Sequence, residues 1–250
     1  MRTILLIFAS LFMFCSCSSK EVKHYRLEVV ADYPHDTESY TQGLFFHDDQ
    51  LYESTGLKGK STFRVVDLET GEARRKLDFD SKYFVEGSVI FEDNLYILTW
   101  ENRVVFIYDA ETLEYKSAHK YARQGWGITT DGESLIASDG SANLYFMDGN
   151  LKLKERLFVT LNDRPVNWLN ELEYINGRIW ANVYTTDEIV IINPRTGNVE
   201  GVVDCMGLLP RELHTNSTDV LNGIAYNPKD GKIYLTGKNW PKMYEIKLID

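Results

Sequence analysis

A chain of 250 residues, 44% hydrophobic and 26% charged, has the composition of an ordinary soluble globular protein and is long enough for one large domain or two small ones. Its formal net charge of −10, with no Lys- or Arg-rich run that could follow a phosphate backbone, argues against nucleic acid as a partner. Only six prolines are present, which argues against long disordered linkers.

The first element is a targeting segment. Arg2 supplies a positive start, and residues 4–14 form an apolar run too short to span a bilayer as a finished helix. Phe14, Cys15, Ser16 and Cys17 follow. A small residue directly before a cysteine at the end of such a run resembles a bacterial lipobox. That resemblance implies cleavage before Cys17 and lipidation of its thiol; a plain secretory signal is the alternative. Cys15 is a poorer lipid site because bulky Phe14 precedes it. The expected organisation is a signal peptide over 1–16, a short tether over 17–24 and a single domain over 25–250. With Cys17 lipidated, Cys205 has no partner and no intramolecular disulfide is expected. Cys205 lies in a strand-like run, 202–206, and reads as a small buried hydrophobe rather than a nucleophile. Asn216, Ser217 and Thr218 match a glycosylation sequon, which in a bacterial lipoprotein is chance.

The rest of the chain is five copies of one unit. Each copy opens on a polar residue and, in most copies, a glycine. An apolar strand, a turn, a second strand led by a large apolar residue, and a third strand follow. The copies place these strands at 42–46, 51–56 and 63–71; 86–90, 95–100 and 104–109; 126–129, 135–139 and 144–148; 170–174, 179–184 and 189–194; and 222–226, 233–238 and 243–246. Aligned on Gly43, Gly87, Gly127, Leu172 and Gly223, they recur every 40 to 51 residues, the length of a four-stranded propeller blade. Turn residues such as Asn176 with Gly177 and Asp230 with Gly231 punctuate the strands. No long stretch has a 3.6-residue apolar period, so helices should be few, with one short turn inside 208–214. The fifth copy lacks an outer strand, which residues 25–30 can supply. The pattern therefore predicts an all-β, five-bladed β-propeller closed by pairing the N-terminal strand into the last blade. A β-sandwich with similar strand spacing is the alternative.

In such a ring the first strands line the central channel. Their starting positions bring together Gln42, Glu86, Trp126, Asn170 with Glu171, and Asn222. The ends of the second strands add Trp100, Tyr184 and Lys238. Glu86 stands out, because Phe84 and Val85 precede it and a carboxylate in apolar company is paired, neutralised or tuned for proton transfer. Taken singly, each member has a plainer reading. Trp100 and Trp126 suit a core, Asn170 a turn, and Asn222 a backbone contact. Their convergence is what points to a site.

Several of these motifs in order resemble the plant and bacterial type of glutaminyl cyclase. They are Tyr40, Thr41, Gln42 and Gly43; Glu86 and Gly87; Leu98, Thr99 and Trp100; Gly125, Trp126 and Gly127; Asn170, Glu171 and Leu172; Trp180, Ala181 and Asn182; and Thr236, Gly237 and Lys238. The resemblance runs from about residue 25 to the C-terminus. It implies a five-bladed propeller that converts the N-terminal glutamine of peptides or proteins to pyroglutamate and releases ammonia. It places the family's catalytic glutamate on Glu86 and functional residues on Asn170 and Lys238. Glu86 would serve as general acid and base, and Asn170 and Lys238 would stabilise the oxyanion. Gln42, Phe84, Trp100 and Trp126 would position the substrate. The chain departs from the family at two places: Tyr184 stands where plant members carry tryptophan, and Tyr40 replaces a phenylalanine. Both keep an aromatic wall.

Metal chemistry finds little support. His24, His35, His47, His119 and His214 lie outside the converging positions and show no ligand spacing. No cofactor is expected for catalysis, although loop or channel oxygens leave a structural calcium open. The resulting expectation is a monomeric, metal-independent enzyme of the bacterial cell envelope, held to the membrane only by its lipid. A non-catalytic propeller that binds peptide or glycan, and a metal-dependent propeller hydrolase or lactonase, are the rival readings.

Overall fold

The computed structural model describes residues 21–249. The signal segment and the lipidation candidate Cys17 lie outside the described residues. The described residues form an all-β fold with almost no helix; among them a single 3-10 turn, Arg211–Leu213, falls inside the segment expected to hold one.

Strand β1 is Lys23–Pro34. The next four, β2 (Thr41–His47), β3 (Gln50–Thr55), β4 (Thr62–Val66) and β5 (Ala73–Asp78), form a four-stranded antiparallel sheet in chain order. The same order repeats in β6 (Val85–Phe91), β7 (Asn94–Thr99), β8 (Val104–Asp109) and β9 (Tyr115–Lys120). It repeats again in β10 (Ile128–Thr130), β11 (Leu135–Ser138), β12 (Asn143–Met147) and β13 (Leu153–Phe158). A two-stranded ribbon, β14 (Thr160–Leu161) and β15 (Arg164–Pro165), leads into β16 (Leu169–Ile175), β17 (Arg178–Val183), β18 (Glu188–Ile192) and β19 (Val199–Asp204). The chain ends in β20 (Leu221–Asn227), β21 (Lys232–Gly237) and β22 (Lys242–Ile249).

The N-terminal strand completes this last group. β1 pairs antiparallel with β22, from Arg26 opposite Ile249 to Pro34 opposite Lys242. Its first residues, Lys23 to Tyr25, also pair parallel with β19. That second contact merges the last two groups into one eight-stranded sheet. The strand expected to close the ring at 25–30 is therefore longer than the sequence suggested, and it pairs with β19 through its first three residues and with β22 through the rest.

The first strand of each group faces inward. β2, β6, β10, β16 and β20 touch their neighbours in that cyclic order, and β20 returns to β2, so the inner strands make a nearly closed ring. Apolar side chains fill the seams between adjacent sheets. Phe45, Phe63, Val85 and Ile97 lie between the first two sheets; Leu44, Ala225, Tyr234 and Met243 lie where the last meets the first. Burying such surface, at about 25 cal/mol per Å², is the main force holding sheet to sheet. Cys205 is buried in one of these seams beside Leu208 and Leu221, and burial pushes its thiol pKa up, as suits an inert hydrophobe.

The repeat is offset by one residue in the fourth group. In the paired strands Thr41, Val85, Leu169 and Leu221 are equivalent, each opposite the last residues of its second strand. The counterpart of Gly43, Gly87 and Gly223 is therefore Glu171, not Leu172. The glycine that marks the register elsewhere is here a glutamate, which misled the alignment.

Candidate active site

Four inner strands share one irregularity. Pairing slips by one residue between Thr41 and Gly43, Val85 and Ser88, Leu169 and Leu172, and Leu221 and Ile224. A bulge of this kind takes a residue out of the ladder and re-aims its side chain. The residues so released are Gln42, Glu86, Asn170 and Asn222. Trp126 holds the same place ahead of β10, where its N–H donates to Ser138 O and Ser138 N–H donates to Gly127 O. The repeat thus delivers one side chain per group to the same end of the ring.

The residue after each bulge decides how closely the strands approach. Gly87 N–H donates to Trp126 O at 2.7 Å across the seam, and a Cβ on Gly87 would lie 2.7 Å from that oxygen. A Cβ on Gly127 would lie 2.1 Å from Asn170 O. Glycine is needed here for close approach of backbone to backbone. Glu171 takes this position in β16 and turns its side chain into the axis. There its carboxylate accepts the N–H groups of Leu44, at 3.3 Å, and Ile224, at 2.9 Å. Two residues on, Glu173 accepts Tyr226 N–H at 2.9 Å. Burial raises both carboxyls, Glu171 well above the usual range and Glu173 to about 8. Glu171, expected beside Asn170 at the channel mouth, faces the interior of the ring instead.

Of the eleven residues singled out in the sequence, the structure gathers nine, all but Glu171 and Asn222, around one cavity of about 160 Å³. That is below the several hundred Å³ typical of pockets for drug-sized ligands, and it suits a single residue. Glu86 supplies its carboxyl and Lys238 its ammonium, 5% and 3% exposed. Burial drives the Glu86 carboxyl well above its ordinary range, and the Lys238 charge opposes this only in part. Burial likewise lowers the Lys238 ammonium, against the charges of Glu86 and Asp219. Lys238 Nζ sits 4.8 Å from the ring centroids of both Tyr40 and Tyr184, so two aromatic faces hold the cation.

The walls are aromatic. Phe84 meets Trp100 edge to face at 5.6 Å and Tyr40 at 6.2 Å. Trp126 meets Tyr184 at 5.6 Å with planes at 88°. Gly56 lies against the Phe84 ring and Gly140 against the Trp126 indole, each so close that a Cβ would overlap the ring. Trp100 Nε1 donates to Gln124 Oε1 at 3.0 Å. By contrast, Trp126 Nε1 and Asn170 Oδ1 are buried and have no hydrogen-bond partner. Unpaired buried polar atoms are costly, and here they line the cavity, where a bound amide could satisfy them.

Asn222 does not line the cavity. Its Nδ2 donates to Thr41 O at 2.9 Å and to Gln42 Oε1 at 3.3 Å, which fixes the Gln42 amide. Behind Gln42 stands a buried charge network. Glu53 accepts from His35 Nε2 at 2.9 Å and from Thr41 Oγ1 at 2.6 Å, and Arg64 donates to Glu53, Ser39 and Asp36. Burial alone would raise Glu53, but Arg64 and His35 outweigh it and hold it at about 2. His35 Nδ1 lies 2.7 Å from Trp240 O, so both ring nitrogens face acceptors and both must carry protons. Burial lowers the His35 pKa, yet Glu53 outweighs it and the net shift is upward.

Two neighbours of the cavity escaped the sequence reading. Asp219 accepts from Tyr40 O–H at 2.8 Å, and its backbone N–H bonds Lys238 O. Trp168 packs against Trp126 and Tyr184 at the rim. Both sit in connections between strands; Trp168 directly precedes its inner strand as Tyr40 and Phe84 precede theirs, and its C=O accepts Tyr184 N–H as theirs accept the N–H groups of Gly56 and Trp100, but the offset register of the fourth group hid that match. Among the described residues, no three His, Cys, Asp or Glu side chains cluster as metal ligands.

The family model described as Glutamine cyclotransferase matches residues 3–248. The glutaminyl-peptide cyclotransferase of Arabidopsis thaliana is 42% identical over 241 residues, covering 93% of this chain and 75% of that protein. The crystal structure of Myxococcus xanthus glutaminyl cyclase superimposes with a TM-score of 0.85 at 34% identity, covering 92% of this chain and all of that one. With a match that spans nearly the whole length, the chain belongs to the glutamine cyclotransferase family.

Proposed function

We propose that this protein is a glutaminyl-peptide cyclotransferase, which turns the N-terminal glutamine of peptides or proteins into pyroglutamate and releases ammonia. The observation that carries the reading is Glu86. A lone carboxyl of strongly raised pKa faces an aromatic cavity the size of one residue, with Lys238 and Asn170 on its walls.

In the proposed mechanism the substrate glutamine curls so that its α-amine reaches its own side-chain carbonyl. Tyr40, Phe84, Trp100, Trp126 and Tyr184 enclose the methylenes, and Gln42, fixed by Asn222, holds a polar end of the substrate. Packing the side chain against the amine supplies the proximity the ring closure needs. As the N–C bond forms, Glu86 takes a proton from the amine. Asn170 and Lys238 face the oxygen that becomes negative. Glu86 then returns the proton to the side-chain nitrogen, the C–N bond breaks, and ammonia leaves with the lactam closed. One carboxyl serves both steps, and a raised pKa suits it, because base and acid must both be accessible near neutral pH.

We further read the sheets as five propeller blades, the last one closed by β1, a reading supported by the cyclic order of the inner strands. The sequence motif at Cys17 supports a lipid anchor in the bacterial cell envelope, with the membrane touched only there. Catalysis by a monomer without metal or cofactor completes the proposal. The test is ammonia release from a Gln-initiated peptide, with and without EDTA, alongside mass analysis for the loss of 17 Da that accompanies it. Peptide bound without ammonia release would point to the non-catalytic reading, and loss of activity with EDTA to a metal-dependent one. Metabolic labelling with a fatty acid, lost in Cys17→Ser, tests the anchor.

A further inference from the structure

The cavity accommodates one residue, so the rest of a peptide must leave across its rim. At that rim stands Trp168. The residue is 56% exposed, although its ring lies 6.2 Å from Trp126 and 6.4 Å from Tyr184, two rings of the cavity wall. The backbone at Trp168 is left-handed, with φ at 66°. For a bulky residue that is a true outlier, and strain of this kind persists only where surrounding structure imposes it. Two bonds impose it here: Trp168 N–H donates to Gly140 O, and Tyr184 N–H donates to Trp168 O, both at 2.8 Å. Gly140 is itself the residue that lies flat against Trp126. A single exposed apolar side chain needs no explanation. An exposed tryptophan clamped in a strained backbone, in line with the aromatic wall of the cavity, does.

We infer that Trp168 forms a second subsite, which takes the side chain of the residue following the N-terminal glutamine and favours apolar, ring-bearing side chains. The inference rests on the cyclotransferase reading above. The indole extends the wall made by Trp126 and Tyr184 outward by one ring, so a peptide whose first residue fills the cavity lays its second against an open aromatic face. Aromatic pairs prefer edge-to-face or offset contact at these distances, and a tryptophan in a rigid backbone loses little freedom on contact. Binding there is remote from the bond that forms, so it acts on substrate affinity and not on the chemical step.

The experiment compares peptides Gln-Phe-Ala-Ala, Gln-Gly-Ala-Ala and Gln-Asp-Ala-Ala on the parent protein and on Trp168→Phe, Trp168→Ala and Trp168→Asn. Asparagine tolerates the left-handed backbone, so Trp168→Asn removes the ring without adding strain. Thermal melts identify any variant that fails to fold. The expected result is a preference of the parent for Phe over Gly in kcat/KM that falls about tenfold in Trp168→Asn, mostly through KM, and is largely kept in Trp168→Phe. An unchanged preference, or an equal loss for all three peptides, overturns the subsite. If the parent releases ammonia from none of them, the cyclotransferase reading fails separately. Calorimetric binding of the same peptides then decides the subsite: tighter binding of the Phe peptide, lost in Trp168→Asn, supports it, and equal binding rejects it.

Discussion

Glu86 and Lys238 face one cavity, and burial moves them in opposite directions, the carboxyl up and the ammonium down. Each charge favours its partner's charged form but does not outweigh the loss of water. The proposed base must be ionised when substrate binds, so kcat/KM should rise as pH climbs through the raised Glu86 value. The α-amine of the substrate adds to the same limb. The proposed oxyanion partner must be charged, so the rate should fall again as pH passes the lowered Lys238 value, short of the ordinary lysine range. A pH–rate profile on the parent and on Lys238→Arg checks this. Arginine stays charged, so its alkaline limb should be gone even if its rate is lower. Glu86→Gln keeps size and shape but cannot move a proton; ammonia release should fall by about 10²- to 10⁴-fold with an unchanged melting temperature. Full activity in that variant would remove Glu86 from the mechanism. Seven of the nine cavity residues were legible because each sits at a fixed place in a repeated unit; Tyr40 and Phe84 came from the family resemblance. Trp168 was not, although it stands where Tyr40 and Phe84 stand, because Glu171 in the glycine position put the fourth unit out of register; Asp219 was not, because a loop hydrogen bond brings it to the cavity.

At the scale of the strand, the bulge and the glycine after it do most to position the site. Gly127→Ala would put a methyl 2.1 Å from Asn170 O, and the neighbouring strand would have to move. Such overpacking should cost about 2–3 kcal/mol, read by denaturant melts, with activity reduced as Asn170 shifts. The inner and middle strands were readable as apolar runs bounded by turns. The outer ones were not: β5, with Ala73, Arg74, Arg75 and Lys76 exposed, and β9, mostly exposed, bury too little to show a period of two. Glu171 defeated the alignment of the fourth unit for the opposite reason, since a charged residue fills a position where only glycine marked the register. The buried network beneath β2 makes a pH prediction of its own. Glu53 is held below its unfolded value, so its stabilisation is present above about pH 4.5 and is lost as pH falls toward about 2. His35 is raised, so its contribution is complete below its unfolded value of about 6.5 and is lost as pH rises through the folded one. The difference in melting temperature between the parent and His35→Gln should therefore be largest below about pH 6.5 and shrink as pH rises through the folded His35 value, a comparison that cancels the alkaline loss both proteins share from the raised Glu171 and Glu173 carboxyls.

For the whole molecule, ring closure depends on a strand from the far end of the chain. β1 pairs with β22 and reaches β19, so it joins the chain's beginning to its last two groups of strands. A protein starting at residue 35 would expose the edges of both β22 and β19. It should lose cooperative thermal unfolding and bind a hydrophobic dye. The alternation of apolar residues in β1 did suggest a strand there; its full length did not show, because Val29 and Val30 are exposed and a bulge interrupts the pairing between Val29 and Ala31.

Glu171 and Glu173, threaded along the axis behind the cavity and tied to β2 and β20, also set the traffic through the site. They occupy the route by which a through-going channel would drain, so the cavity is a cul-de-sac. Ammonia and cyclised peptide leave by the door through which the substrate came. The cyclised peptide blocks the entrance until it backs out, so pyroglutamyl product should compete directly with fresh substrate, and the side chain it rests on Trp168 sets how long it stays.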